Sequence, residues 1–148
     1  MNVQRFGMAA VAVFVVFGIV YFGAGQLIAD QYKAISQSFG LSETDITLTW
    51  VGRVLYTLVF CYIFVQGHED KGIGEGVRFG LLIGLLLLAI NFELYSHSDI
   101  AMGNTLAAWA VDLVASIAAG ATIAAIYKPA DAAPAEAAPA AAAPAGTE

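Results

Sequence analysis

The chain has 148 residues, 59% of them hydrophobic and only 12% charged, with 6 Lys and Arg against 12 Asp and Glu. Soluble domains carry about 25% charged residues, so this composition excludes an ordinary water-soluble fold, and the length leaves no room for a catalytic domain beside a membrane region. The formal net charge of −6 excludes a nucleic-acid binder, which needs a basic face, and a single cysteine, Cys61, excludes an internal disulfide framework.

Four apolar segments succeed one another. The first, 6–28, has no charge; the second, 46–65, holds Arg53; the third, 77–95, holds Arg78 and Glu93; the fourth, 105–127, holds Asp112. Each offers roughly the 20 residues that cross about 30 Å of hydrocarbon as a helix, the form in which a backbone satisfies its own polar groups in lipid. The predicted fold is therefore all-α, a bundle of four transmembrane helices filling residues 1–128. The first segment also has features of a cleaved signal, with Arg5 ahead of the apolar run and Gly23-Ala24-Gly25 behind it. Its apolar run exceeds the roughly 7–15 residues of a signal core, so it is read as a retained helix.

Between the first two segments, Ile28, Tyr32, Ile35 and Phe39 recur on one face of a short amphipathic helix that Gly40 would stop. Ser42-Glu43-Thr44-Asp45 then reads as an N-cap with acidic residues at the start of the second segment. After Lys128, Pro129, Pro134, Pro139 and Pro144 recur in an alanine background with Asp131 and Glu136. Proline at that spacing defeats the helix that alanine favours, so residues 129–148 are expected to form a disordered acidic tail.

Basic residues set the expected orientation. Arg5, Lys71, Arg78 and Lys128 fall on one side and Lys33 alone on the other, which places both termini and the 66–76 loop in the cytoplasm. Tyr21, Trp50, Tyr95 and Trp109 then fall near the outer interface. The halves of the chain also echo each other. Arg5-Phe6-Gly7 is matched by Arg78-Phe79-Gly80, and Trp50-x-x-Arg53 by Trp109-x-x-Asp112. Such an echo fits two parallel helical hairpins related by internal duplication.

A charge at the centre of a membrane helix costs at least about 2.5–3.5 kcal/mol, so the intramembrane ionisable residues are the strongest functional pointers. Arg53 and Asp112 lie at matching depths, and Glu93 and Asn91 approach from the same side, giving a candidate buried polar cluster of Arg53, Asn91, Glu93 and Asp112. Arg53 and Asp112 are expected to pair, with Glu93 competing for the arginine. Two readings of the cluster stand: an ion pair that fixes helix register, and a solute or proton site. Helix packing is expected from small residues spaced four apart. Gly76, Gly80 and Gly84 form one stripe, and Ala108, Asp112, Ser116, Gly120 and Ala124 form another.

No catalytic residue, metal site or cofactor is expected. His68-Glu69-Asp70 and Tyr95-Ser96-His97-Ser98-Asp99 lie on opposite sides and lack a ligand spacing. Cys61 sits among Phe60, Tyr62 and Phe64, where a thiol packs, and Gly72-Ile73-Gly74-Glu75-Gly76 reads as a tight turn.

The run Gly76-Val77-Arg78-Phe79-Gly80-Leu81-Leu82-Ile83-Gly84 resembles the opening of the third helix in small bacterial four-helix inner-membrane proteins of uncharacterised families. The stretch from Ala119-Gly120-Ala121-Thr122 to Ile126-Tyr127-Lys128 is similar to their last helix. The resemblance spans about the C-terminal half of the folded region; it implies a bacterial inner-membrane location and carries over no catalytic residue. The expected role is that of a non-enzymatic integral membrane protein, a structural or accessory component of a membrane assembly. Its expected partners are the lipid bilayer, other membrane subunits or a second copy. The alternative is a small solute or proton-coupled transporter using Arg53, Glu93 and Asp112.

Overall fold

A computed structural model describes residues 3–38, 46–97 and 99–127. The expected stop at Gly40, the N-cap over 42–45 and the alanine-proline tail lie outside those residues.

The described chain folds as α1 (Val3–Leu27), α2 (Ala29–Ser38), α3 (Ile46–Gln66), α4 (Ile73–Ser96) and α5 (Met102–Ile126). Four of these helices, all but α2, are long and apolar enough to cross a membrane. With 21 to 25 residues each they extend roughly 31–38 Å, enough to span a hydrocarbon core. Large apolar side chains face outward along them, among them Val11, Ile19, Leu55, Leu82 and Val114. A soluble protein would bury such residues; a bilayer solvates them. The protein is an all-α, multi-pass integral membrane protein.

The tightest contact in the bundle lies between α4 and α5, and glycine explains it. A Cβ placed on Gly76 would collide with the Gly120 carbonyl oxygen, and one on Gly80 with the Ser116 carbonyl oxygen. One on Gly84 would lie 2.6 Å from Leu113 Cδ1. At Gly76 and Gly80 only hydrogen fits, so the two backbones approach closely and gain dispersion contacts that lipid cannot replace. As residue numbers rise along α4 their partners fall along α5, so the helices run antiparallel. The Trp109 indole closes the far end of this seam by donating to the Gly84 carbonyl at 2.8 Å.

Helix α1 packs across α5, burying Ala9, Val13 and Phe17 with Ala115, Ala119 and Ile123. Helix α3 joins through aromatic rings rather than close backbones. Phe17 meets Tyr56 at 5.3 Å and Phe60 at 5.5 Å between centroids, and Phe79 of α4 lies edge-on to Phe60 at 4.8 Å and Phe64 at 5.3 Å. Pairs of this kind add about 0.5–1.5 kcal/mol each beyond their buried area. Cys61 is buried in the same cluster.

The two hairpins are built alike in one respect and differently in another. Trp50 of α3 packs against Phe14 of α1, as Trp109 of α5 bonds to Gly84 of α4. Yet the α4–α5 hairpin is sealed by glycine contacts, whereas α1 and α3 meet through bulky side chains that leave an apolar crevice lined by Ala10, Phe14, Val54 and Leu58.

The turn between α3 and α4 is narrower than the five-residue glycine run suggested. Asp70 and Gly72 take positive φ, 60° and 74°, while Gly74 and Gly76 already belong to α4. Glu75, in the first turn of α4, reaches back to accept the Glu69 and Lys71 backbone N–H groups at 2.7 and 2.9 Å, and its Oε1 lies 3.2 Å from His68 Nδ1. Gly72 has no side chain to cap the helix, so Glu75 supplies the acceptor at the helix start, beside the Lys71–Glu69 ion pair in the same turn.

Candidate functional site

At the opposite end of the bundle, next to α2, all five helices line a cavity of about 420 Å³. Tyr21 and Gly25 come from α1, Tyr32 and Ile35 from α2, and Arg53 from α3. Asn91 comes from α4, and Ala108 and Asp112 from α5. Helix α2 is positioned by continuity with α1: the Ile28 N–H bonds to Ala24 and the Tyr32 N–H to Ile28, carrying the ladder across the bend at Ile28. Its half-buried Tyr32 and Ile35 thereby face the cavity while Asp30 and Lys33 are exposed.

Tyr21 organises the charges. Its hydroxyl donates to Asp112 Oδ1 at 2.8 Å, and the Arg53 guanidinium carbon lies 4.6 Å from its ring centroid. Among the described residues Arg53 and Asp112 form no ion pair with each other, and no acceptor lies within hydrogen-bonding distance of the guanidinium. The direct pair expected from matched depths is thus replaced by a relay through one phenol. Equal depth fixes height along the bundle, not the direction a side chain points, and here one phenol meets both charges, its face the guanidinium and its hydroxyl the carboxylate.

Asn91 lies beside Asp112 on the cavity wall and donates to the Leu87 carbonyl one turn back at 2.8 Å. Glu93 stands apart. Its side chain is 79% exposed and its Oε1 lies 3.7 Å from His97 Nε2, one turn on. Residues two apart on a helix point about 200° from each other, so Asn91 and Glu93 cannot line the same wall. Of the four residues expected to cluster, Arg53, Asn91 and Asp112 come together and Glu93 is corrected to the outer face of α4.

Tyr21 and Tyr32 were not singled out as site residues. Tyr21 falls in the stripe Val13, Phe17, Tyr21 that faces the bundle interior, so its hydroxyl reaches the Asp112 carboxylate. Burial pushes the Tyr32 phenol above its ordinary range, and the nearby Asp112 charge adds to this while Arg53 opposes it. Tyr32 therefore stays a neutral donor at physiological pH.

One turn deeper, Tyr56 Oη and Ser116 Oγ are buried side by side, outside hydrogen-bonding geometry. Beyond them the interior is Phe17, Phe60, Phe64, Ala119 and Ile123, each at most 2% exposed. Polar side chains along the way turn back on their own helices: Thr57 donates to the Arg53 carbonyl and Thr122 to the Ala118 carbonyl, both at 2.8 Å. The cavity is thus a pocket with an apolar floor.

His68, far from the cavity, is held between Glu75, Phe64 and Tyr127, while His97 is exposed at the cavity end of α4. Gly76, Gly80, Gly84, Ser116 and Gly120 lie in the α4–α5 seam, where they set the spacing of the wall that carries Asn91 and Asp112. Comparison with known proteins finds no family, curated protein or solved structure that matches this chain.

Proposed function

We propose that this is a non-enzymatic bacterial inner-membrane protein that holds a small polar solute in the cavity beneath α2. In this reading both termini and the α3–α4 loop are cytoplasmic and the cavity opens outward. One observation carries it: Arg53 and Asp112 line the same cavity without closing on each other. A pair serving only to fix register gains most by direct contact, because each charge is costly in lipid and the partner is the cheapest compensation. Opposite charges that line about 420 Å³ of space without pairing instead suit a ligand, and that volume falls within the roughly 300–1,000 Å³ usual for ligand pockets. The apolar floor favours capture over free conduction, so transport would require the α1–α3 seam to rearrange.

Proteoliposome uptake of small polar solutes tests this reading, with Arg53→Gln and Asp112→Asn as partners to the wild type. Uptake or retention lost in both variants, with the fold preserved, supports it. Indifference to both substitutions rejects it.

A second reading, a structural or accessory subunit of a membrane assembly, draws support from α3. That helix joins the bundle by its Tyr56, Phe60 and Phe64 face and leaves Val51, Leu55, Leu58 and Tyr62 exposed. Purification in mild detergent separates the two: stoichiometric association with other subunits favours the accessory role.

A further inference from the structure

The cavity offers one cation and one anion at separate points, and this restricts what fits it. The Arg53 guanidinium is braced on one face by Tyr21, and its N–H donors meet no acceptor among the described residues. Asp112 accepts the Tyr21 hydroxyl through Oδ1. A lone anion seated on Arg53 would face Asp112, and a lone cation seated on Asp112 would face Arg53. Each such mismatch brings like charges together at a half-buried wall, where they repel more strongly than on a fully hydrated surface. A group carrying both signs satisfies both residues, and the guanidinium fork is built for a carboxylate or phosphate oxygen pair.

We propose that the cavity binds a small zwitterion, its oxyanion on Arg53 and its primary ammonium on Asp112, with the Tyr32 hydroxyl and the Asn91 amide as neutral contacts. This rests on the solute-cavity reading and names its ligand class. The same chemistry occurs in free amino acids and in the phosphoethanolamine headgroup of a lipid, so the test must distinguish a soluble source from a lipid one.

The full chain is reconstituted in nanodiscs of phosphatidylglycerol, which lacks an ammonium, and titrated calorimetrically with L-alanine, phosphoethanolamine, propionate and ethylamine. The expected result is binding of a zwitterion at least about tenfold tighter than of either singly charged probe, as loss of one charged hydrogen bond would give. Asp112→Asn should erase the advantage of L-alanine over propionate, and Arg53→Gln its advantage over ethylamine. Gly25→Leu supplies a variant that leaves both charges in place. Gly25 lines the cavity and a Cβ there meets nothing within 4 Å, so a leucine side chain starts from open space at the cavity wall. It should abolish binding while the protein stays folded and monodisperse.

If a lipid is the natural occupant, phosphatidylethanolamine nanodiscs should block L-alanine, and native mass spectrometry should show that lipid retained by the wild type and lost in Arg53→Gln. Singly charged probes binding as well as zwitterions would overturn the ligand class but leave the solute cavity standing. Binding that survives Gly25→Leu, or absence of binding in every arm, lipid included, would overturn both.

Discussion

The phenolic oxygen of Tyr21 and Oδ1 of Asp112 are 2.8 Å apart across the α1–α5 interface, a hydrogen bond between residues 91 apart in the chain. It fixes the tyrosine ring at the angle where the opposite end of the site, Arg53 on α3, rests against its face. One side chain thereby ties three helices together at the rim of the cavity.

Tyr21→Phe keeps the ring and removes only the hydroxyl. A hydrogen bond to a charged group contributes about 1.5–3 kcal/mol, and the variant should lose stability on that order. Reversible unfolding in mixed micelles, followed by circular dichroism, measures the loss. The cycle completed with Asp112→Asn isolates the pairwise part, and a coupling of zero would mean that the bond contributes nothing.

The glycine seam makes a sharper prediction. Gly76→Ala or Gly120→Ala drives a methyl group into the facing backbone, which cannot yield as a side-chain tip would. Overpacking of this kind costs about 1–3 kcal/mol. Gly7→Ala and Gly18→Ala put the same methyl where nothing lies within 4 Å, so the helix gains alanine's propensity without a clash. The same unfolding assay should therefore show the first two variants destabilised and the second two unchanged or slightly improved. Equal effects in all four would remove the seam from the account of stability.

The four spans and their glycine stripes were legible because lipid imposes simple rules: a minimum length, an apolar composition, and small residues where helices touch. The depth of Arg53, Asn91 and Asp112 was legible for the same reason, since depth is counted along the sequence. Direction was not. An apolar helix in lipid is hydrophobic all round, so no polar face reports which way Tyr21 or Glu93 points. Tyr21 read as an interfacial anchor, yet its place one turn beyond Phe17 turns it inward to Asp112. Glu93 read as a cluster member on depth alone, and its register on α4 sends it outward to His97. Relative angle is all the sequence offers here: residues two apart on α4 point about 200° from each other, which separates Asn91 from Glu93 without saying which of them faces inward.

In the α3–α4 turn one carboxylate, that of Glu75, accepts from two backbone N–H groups. Glu75→Ala would leave the Glu69 and Lys71 N–H groups and the His68 ring without the acceptor they share. Loss of a helix-start acceptor costs about 0.5–2 kcal/mol, and here the change is confined to one turn. Limited proteolysis at 67–72 should accelerate, while L-alanine binding at the distant cavity should stay at the wild-type level. A cut rate equal to the wild type would show that the turn holds its shape without Glu75.

Orientation decides which compartment supplies the ligand. Arg5, Lys71 and Arg78 lie toward the end of the bundle where His68 meets Tyr127, whereas α2 with Lys33 lies at the cavity end. Each basic residue near a span favours the cytoplasmic side, so the cavity is expected to face outward. Single cysteines at Lys33 and Gly67, in a Cys61→Ala background, test this with a membrane-impermeant maleimide on spheroplasts. Cys61 is fully buried, so its replacement removes a background thiol without opening the surface. Lys33→Cys should label on intact spheroplasts and Gly67→Cys only after permeabilisation. The reverse pattern would turn the cavity toward the cytoplasm, and the zwitterion it holds would then come from the cytosol or the inner leaflet.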